Sequence, residues 1–288
     1  MSTTSNIRPL EEGIERDLQG LNYASYLHLD LLLSAQQPVS DHHDEMLFIV
    51  VHHVTELWIK LVVHEIRSAI GLLAADELGP ALKRLARIKH VQRQMIEQWE
   101  VLATLTPSEY AQFRGRLGKS SGFQSAQYRT LEFLLGNKNR AMIAVFAHDP
   151  EAAAQLDRDL HAPSLYDEFL SYLARRGYPI PAELLTRDFA EPHTRNEDLV
   201  RIFAGVYADP EHQWDVYETC EELVDIEDTF QTWRFRHLKT VERIIGYKRG
   251  TGGSSGVAFL ARALNLTFFP ELYAVRTEIG DLPAARPS

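Results

Sequence analysis

Twelve histidines run through the 288-residue chain, and two sit where an imidazole has to find a partner. Between residues 214 and 246, Leu223, Ile226, Phe230, Trp233, His237, Val241 and Ile244 follow one another at steps of three and four, so His237 takes an apolar place on a buried helical stripe. Burying an imidazole costs free energy unless a ring nitrogen is satisfied; a metal or haem iron can do this, and so can a hydrogen bond within the core. Arg234 and Arg236 flank it, as cations that could pair with the carboxylates of such a group or lie in solvent. The second histidine, His52, lies in a segment that is apolar nearly all round, one turn from Phe48 on a shared face, so that an aromatic wall and a ring nitrogen meet at one place. Glu56, one turn further on, offers the alternative of a histidine oriented by a carboxylate.

Two further patterns suit the binding of a small charged molecule. Tyr110 and Arg114 stand at i and i+4 on one short helix, and a guanidinium grips a carboxylate through parallel hydrogen bonds, although a Tyr–Arg pair on a helix surface is also commonplace. Residues 248–256 (KRGTGGSSG) form a strongly glycine-rich loop that is either mobile or tightly shaped. The loop matches neither the phosphate-binding nor the dinucleotide pattern, both of which follow a strand, so it reads as a substrate-closing loop with Thr251 as polar contact, or as a plain linker. Other chemistries lack their spacing. No Glu lies three residues before a histidine as in di-iron bundles, and His64-Glu65 lacks the second histidine of a zinc protease. The sequence holds no serine-hydrolase elbow. Its single cysteine, Cys220, is flanked by acids, reads as structural, and excludes disulfides, Cys-only zinc clusters and covalent c-type haem attachment.

The elements that must position these residues are helical nearly throughout, since apolar spacing of three and four recurs and no hairpin dipeptide separates alternating runs. Helices are predicted over 23–34, 44–74, 78–103, 107–117, 123–135, 141–147, 151–160, 165–176, 181–186, 197–209, 214–246 and 257–265. Thr106-Pro107-Ser108-Glu109 is a capping box with Pro at the first helical position, and Gly118 follows the last turn of that helix. With no linker, repeat or low-complexity tract, 1–288 reads as a single all-α domain whose ends, about 1–17 and 280–288, are composed for poor order. The formal charge of -10 disfavours nucleic acid as a partner. The longest unbroken apolar run, 141–147, is far short of the roughly 20 residues of a membrane span, and the first twenty residues lack a secretory core. A cytoplasmic protein is expected, with neither membrane nor nucleic acid as partner.

Seven blocks in order along the chain are similar to the tryptophan 2,3-dioxygenase family: 23–27 (YASYL), 42–52 (HHDEMLFIVVH), 106–114 (TPSEYAQFR), 120–125 (SSGFQS), 133–139 (FLLGNKN), 233–237 (WRFRH) and 248–256. The resemblance implies an all-helical bundle assembled as a homotetramer, each chain holding noncovalent haem b that is Fe2+ in the active form. It implies dioxygenation of L-tryptophan by O2 to N-formyl-L-kynurenine, the first step of tryptophan breakdown along the kynurenine pathway. It makes His237 the proximal iron ligand, His52 the distal histidine near the indole N–H, Phe48 the wall against that ring, and Arg114 the grip on the substrate carboxylate, with Tyr110 beside it. Thr251 becomes a contact for the ammonium group and a haem propionate, and Ser121 a further pocket residue. Tyr23, Tyr26 and Leu27 become residues lent to a neighbouring subunit's pocket by an N-terminal segment of about residues 1–34. Val51 and His53, beside His52, are the local departure from the pattern. An indoleamine 2,3-dioxygenase of wider substrate range and a noncatalytic haem sensor or carrier are the alternatives, the first disfavoured by the specific contacts at Arg114 and Thr251.

Overall fold

The computed structural model describes residues 13–14 and 19–279, and the described residues contain helices and no strand. The expected loose ends fall outside them, apart from Gly13 and Ile14. The chain separates into two units, one through Pro38 and one from Val39 onward. In the first, α1 (Tyr23–Leu27) and α2 (Leu29–Ser34) replace the single helix expected over 23–34. Asn22 and Ser25 cap each other at the start of α1, and His28, in the left-handed region at φ 49°, ends one helix and begins the next. Neither helix buries a residue within its unit, and Leu21, Tyr23, Tyr26, Leu31 and Leu33 all stand exposed.

The second unit is built on the hairpin of α3 (Glu45–Ala74) and α4 (Leu78–Leu102), two long helices joined by residues 75–77. Asp76 turns that link at φ 60° and is held by Arg175 at 2.9 Å. The inner face of α3 buries Val51, Ile59, Val62, Ile66, Ala69 and Leu73, and α4 meets it with Ala81, Leu85, Ile88, Met95 and Leu102. At roughly 1.5–3 kcal/mol per fully buried large aliphatic side chain, this seam is a main source of the unit's stability. Although α3 is long and apolar enough to cross a bilayer by length and composition, it packs on α4 and on two helices further along the chain. Its buried Glu65 pairs with Arg87 at 2.8 Å.

Next come α5 (Pro107–Arg114), α6 (Ala126–Leu134), α7 (Pro150–His161), α8 (Leu165–Arg175), the one-turn α9 (Ala182–Leu185) and α10 (Glu197–Ala208). The capping box at Thr106 and Glu109 forms as the sequence predicts, whereas α5 stops at Arg114 and tightens into a 3-10 turn over Gly115–Leu117. The helix expected over 123–135 begins only at Ala126, because the Ser125 hydroxyl caps Tyr128 N–H at 3.0 Å and leaves Gly122–Gln124 as a separate turn. Residues Arg140–Phe146 are 3-10 rather than α-helical. The 133–139 block is structural: Gly136 supplies a φ of 103°, and buried Lys138 donates to the carbonyls of Asp159 and Ala162 at 2.6 and 2.9 Å.

The long α11 (Trp214–Ile245) packs along α4 and carries His237 in its penultimate turns, followed by α12 (Val257–Ala263) and α13 (Pro270–Glu278). No helix is predicted for α13 from the apolar pattern, because its apolar stripe is short and one of its buried residues is Glu271. That carboxylate, fully buried, accepts from Tyr166, His193 and the backbone of Asn196, which fastens α13 to α8 and to the start of α10. The segment before α13 is fixed from α11, where Glu227 accepts the N–H groups of Phe268 and Phe269 at 3.0 and 2.9 Å.

Burial pushes the Glu227 carboxyl up to about 7, against the lowering effect of those two N–H groups and of Arg234. A carboxyl whose folded pKa exceeds its unfolded one binds more protons folded than unfolded, so its contribution is present at low pH and lost as pH rises from 4.5 through 7. At about 1.4 kcal/mol per pH unit the loss is about 3 kcal/mol at most. Glu227→Gln is expected to lower stability at pH 5, because the amide turns an N–H2 toward one backbone donor. It should also flatten the decline of denaturation midpoint between pH 5 and 7.5, and chemical melts of both proteins at those pH values check it.

Candidate functional site

Four elements bring the candidate residues together. α3 presents Phe48 and His52 on one face, with ring centroids 4.2 Å apart. α5 turns Tyr110 toward them, 5.7 Å from Phe48, while buried Phe113 closes the cluster at 5.8 Å. His52 Nδ1 lies 2.6 Å from the carbonyl oxygen of Phe48. Because a carbonyl can only accept, Nδ1 carries the proton and Nε2 keeps its lone pair. Glu56 has a different partner: it accepts from Gln127 at 2.8 Å and influences His52 through its charge rather than by a bond. Burial lowers the His52 pKa more than the Phe48 carbonyl and Glu56 raise it, so the ring is neutral at pH 7.

On α11, His237 stacks parallel to Trp99 of α4 at 4.8 Å and lies 5.6 Å from Trp233. Burial lowers its pKa to about 4, with the charge of His52 adding to the effect, so the two histidines lie within electrostatic reach of each other and both are neutral. Neither ring nitrogen of His237 has a hydrogen-bonding partner among the described residues. A neutral imidazole with a free lone pair in an apolar setting is the state that ligates metal. The flanking arginines have other partners: Arg234 is buried against Glu132 at 3.0 Å, and Arg236 pairs with exposed Glu100 at 3.2 Å.

The charged end of the site lies where α5 meets the glycine loop. A cavity of about 430 Å³ is bounded there by Ala111, Arg114, Gly115, Gly118, Lys248 and Thr251. Arg114 donates to the carbonyl of Arg249 and lies beside Tyr110, whose pKa its charge lowers against the effect of burial, while the Arg114 Nε is buried without a partner. An unsatisfied buried guanidinium N–H is a standing cost that an arriving carboxylate would remove. The Thr251 hydroxyl donates to the carbonyl of Ser120, seating the loop on the turn that carries Ser121. Gly252 lies so close that an added Cβ would come within 2.7 Å of Ser121 Cβ, and at Gly256, φ 62°, it would come within 2.5 Å of the Lys248 carbonyl. These two glycines are needed for close approach.

Of the residues singled out in the sequence, His52, Phe48, Tyr110 and Arg114 follow one another as neighbours, Thr251 lines the cavity with Arg114, Ser121 lies against Gly252, and His237 is in electrostatic reach of His52. Tyr23, Tyr26 and Leu27 belong to the other unit, where all three are exposed. Sequence reasoning misses Trp99, which occupies a core position on the α4 stripe and carries no mark of its stacking on His237. It also passes over Lys248 as a cavity residue, although the glycine-rich block itself contains it. Among the described residues no three His, Cys, Asp or Glu side chains converge as a protein-only metal cage requires.

Fold and site together define an all-helical protein with two half-buried neutral histidines and an arginine lining a nearby open cavity. The family model for tryptophan 2,3-dioxygenase matches residues 10–160 and 159–279. Relatives named tryptophan 2,3-dioxygenase are 64% identical in Kineococcus radiotolerans (96% of this chain, 97% of the relative) and 62% in an Arthrobacter species (97% and 100%). One in Serratia proteamaculans is 58% identical (96% and 99%). The chain belongs to the tryptophan 2,3-dioxygenase family.

Because Ser121 Cβ cannot swing aside as a long side-chain terminus can, Gly252→Ala is expected to unseat the loop. Limited trypsin digestion, with the new termini located by peptide mass, should show faster cleavage after Lys248 and Arg249. Cleavage at the unaltered rate would mean that the Gly252 contact does not hold the loop.

Proposed function

We propose that the chain catalyses haem-dependent dioxygenation of L-tryptophan, placing both atoms of O2 at C2 and C3 of the indole and opening the ring to N-formyl-L-kynurenine. The observation that carries this reading is the pair of neutral, half-buried imidazoles, one with its Nε2 lone pair free and the other with no bonding partner at either nitrogen. Family membership supports it over nearly the whole chain. The donor set fits haem b, which brings its own four nitrogen ligands and asks the protein for a single imidazole; His237, braced by Trp99, would supply it. When bound in the ferrous state, haem supplies dioxygen binding and activation.

The rest of the chemistry is the chain's own. Phe48 offers a flat apolar wall to the indole ring, and His52 Nε2 accepts the indole N–H. His52 acts as a positioning group: neutral, and held at Nδ1 by the Phe48 carbonyl, it is a weak base toward so weak an acid. Arg114 exchanges its bond to the Arg249 carbonyl for the substrate carboxylate, with Tyr110 steadying the guanidinium. Thr251 meets the ammonium group and a propionate, Ser121 lies beside it, and the closed loop keeps bulk water away from the reacting carbons.

The exposed apolar residues of α1 and α2, with Met46, Val50 and Leu57 on the outer side of α3, support assembly as a homotetramer. In it Tyr23, Tyr26 and Leu27 reach a neighbouring pocket, and each chain contributes one haem domain with an N-terminal arm. A cytoplasmic location, with no membrane or nucleic acid as partner, fits the charge of -10 and the role of α3 in the core.

Mass spectrometry of L-tryptophan incubated with haem-loaded, reduced protein under labelled dioxygen should find a product heavier by both oxygen atoms. Bound haem with untouched tryptophan would favour the sensor or carrier instead, and comparable turnover of indoles lacking the carboxylate would favour the broader indoleamine enzyme. Arg114→Ala is expected to lower kcat/KM by about 10- to 150-fold, the equivalent of roughly 1.5–3 kcal/mol for a charge-assisted pair, and steady-state kinetics check it. His237→Ala should lose haem while His53→Ala retains it; equal Soret absorbance after gel filtration would refute the ligand assignment.

A further inference from the structure

The glycine loop buries few side chains of its own, so besides its contacts with Ser120, Ser121 and Arg114 its position depends on the two helices it joins. One is α11. The other, α12, begins at Gly256 and ends against a buried guanidinium. Arg234, 4% exposed, donates from Nη1 to the carbonyls of Ala263 at 3.0 Å and Leu266 at 3.4 Å, at the end of α12 and just beyond it. Its Nη2 donates to Glu132 at 3.0 Å, its Nε reaches the Tyr128 hydroxyl at 3.3 Å, and its face lies 4.7 Å from Phe230.

Charge balance shows what this arginine is for. The other oxygen of Glu132 is taken by Arg129, itself buried, so two cations share one carboxylate. The remaining positive charge is met by the nearby carboxyl of Glu227, whose pKa Arg234 lowers electrostatically, and by carbonyl oxygens at the end of α12, the negative end of a helix. Arg129 also lies 5.3 Å over Phe123, and Phe123 meets Phe259 of α12 edge-on at 5.4 Å, so a second contact ties α12 to the turn on which Thr251 is seated. Arg234 stands one helical turn before His237 on α11.

We infer that Arg234 is a positioning residue for the reaction: it fixes α12, and through it the glycine loop and Thr251, in register with the helix turn that carries His237. The inference rests on the function proposed above. Lysine retains the charge, but its single ammonium cannot span Glu132 and both carbonyls.

The test compares the haem-loaded wild type with Arg234→Lys and with Arg243→Lys, an exposed substitution on the same helix, as control. Arg234→Lys should keep its haem, raise KM for tryptophan about tenfold with little change in kcat, and be cleaved by trypsin after Lys248 or Arg249 several times faster. Retained haem with unchanged KM and unchanged cleavage overturns the inference. If Arg234→Lys does not fold, Glu132→Gln, which frees the guanidinium from its ion pair, should show the same rise in KM and in loop cleavage; wild-type values for a folded, haem-loaded Glu132→Gln likewise overturn it. A wild type that binds haem without consuming tryptophan would instead refute the proposed reaction, and loop cleavage alone would then decide the anchoring role.

Discussion

An imidazole drawn partly out of water stays neutral unless it finds a counter-charge, and the site of this molecule rests on keeping two of them neutral at the edge of one helical core. His237 has no ionic partner and lies half-buried beside the indoles of Trp99 and Trp233, so protonation would place a partly desolvated cation there without a counter-charge. His52 is neutral by a different route, with one nitrogen committed to the Phe48 carbonyl and the other left as an acceptor. Holding two such rings within reach of each other requires rigid, closely packed supports. The long helices α3, α4 and α11 supply them, each set in place by the apolar residues it buries.

Polar chemistry is confined to the periphery of that core. Arg114 has an unsatisfied Nε at the cavity, and the loop facing it is pinned through backbone carbonyls and close glycine contacts rather than apolar burial. Such a loop can open without disturbing the core, because the bonds it loses are few and can be replaced by water. Its hinge at α12 is different, being held by a buried cation whose removal would leave the Ala263 carbonyl and one oxygen of Glu132 without their partner.

Much of this was legible in the residues. The three- and four-residue apolar spacing placed α3, α4, α10 and α11 within a residue or two, because burial along a long helix repeats often enough to outweigh local exceptions. His237 stood out as the one basic residue on its apolar stripe, and the capping box marked α5. The short elements were harder. The break at His28, the 3-10 turns at Gly115–Leu117 and Arg140–Phe146, and the whole of α13 depend on single hydrogen bonds or buried carboxylates that leave little periodic trace. The pairing of Arg234 with Glu132 joins residues 102 positions apart, and no local pattern chooses it over solvent or a bound anion.

The sequence by itself determined the helical class and the chemical inventory, since these depend on residue types and on spacings within one element, and its seven blocks in order carried the resemblance to the family. Tertiary structure decided which ring nitrogen of His52 keeps its lone pair, that His237 stacks on Trp99, and that Arg234 turns from the site to anchor α12. The division has a physical cause: hydrophobic periodicity is written along the chain, whereas desolvation and charge pairing depend on what other segments bring within a few ångströms.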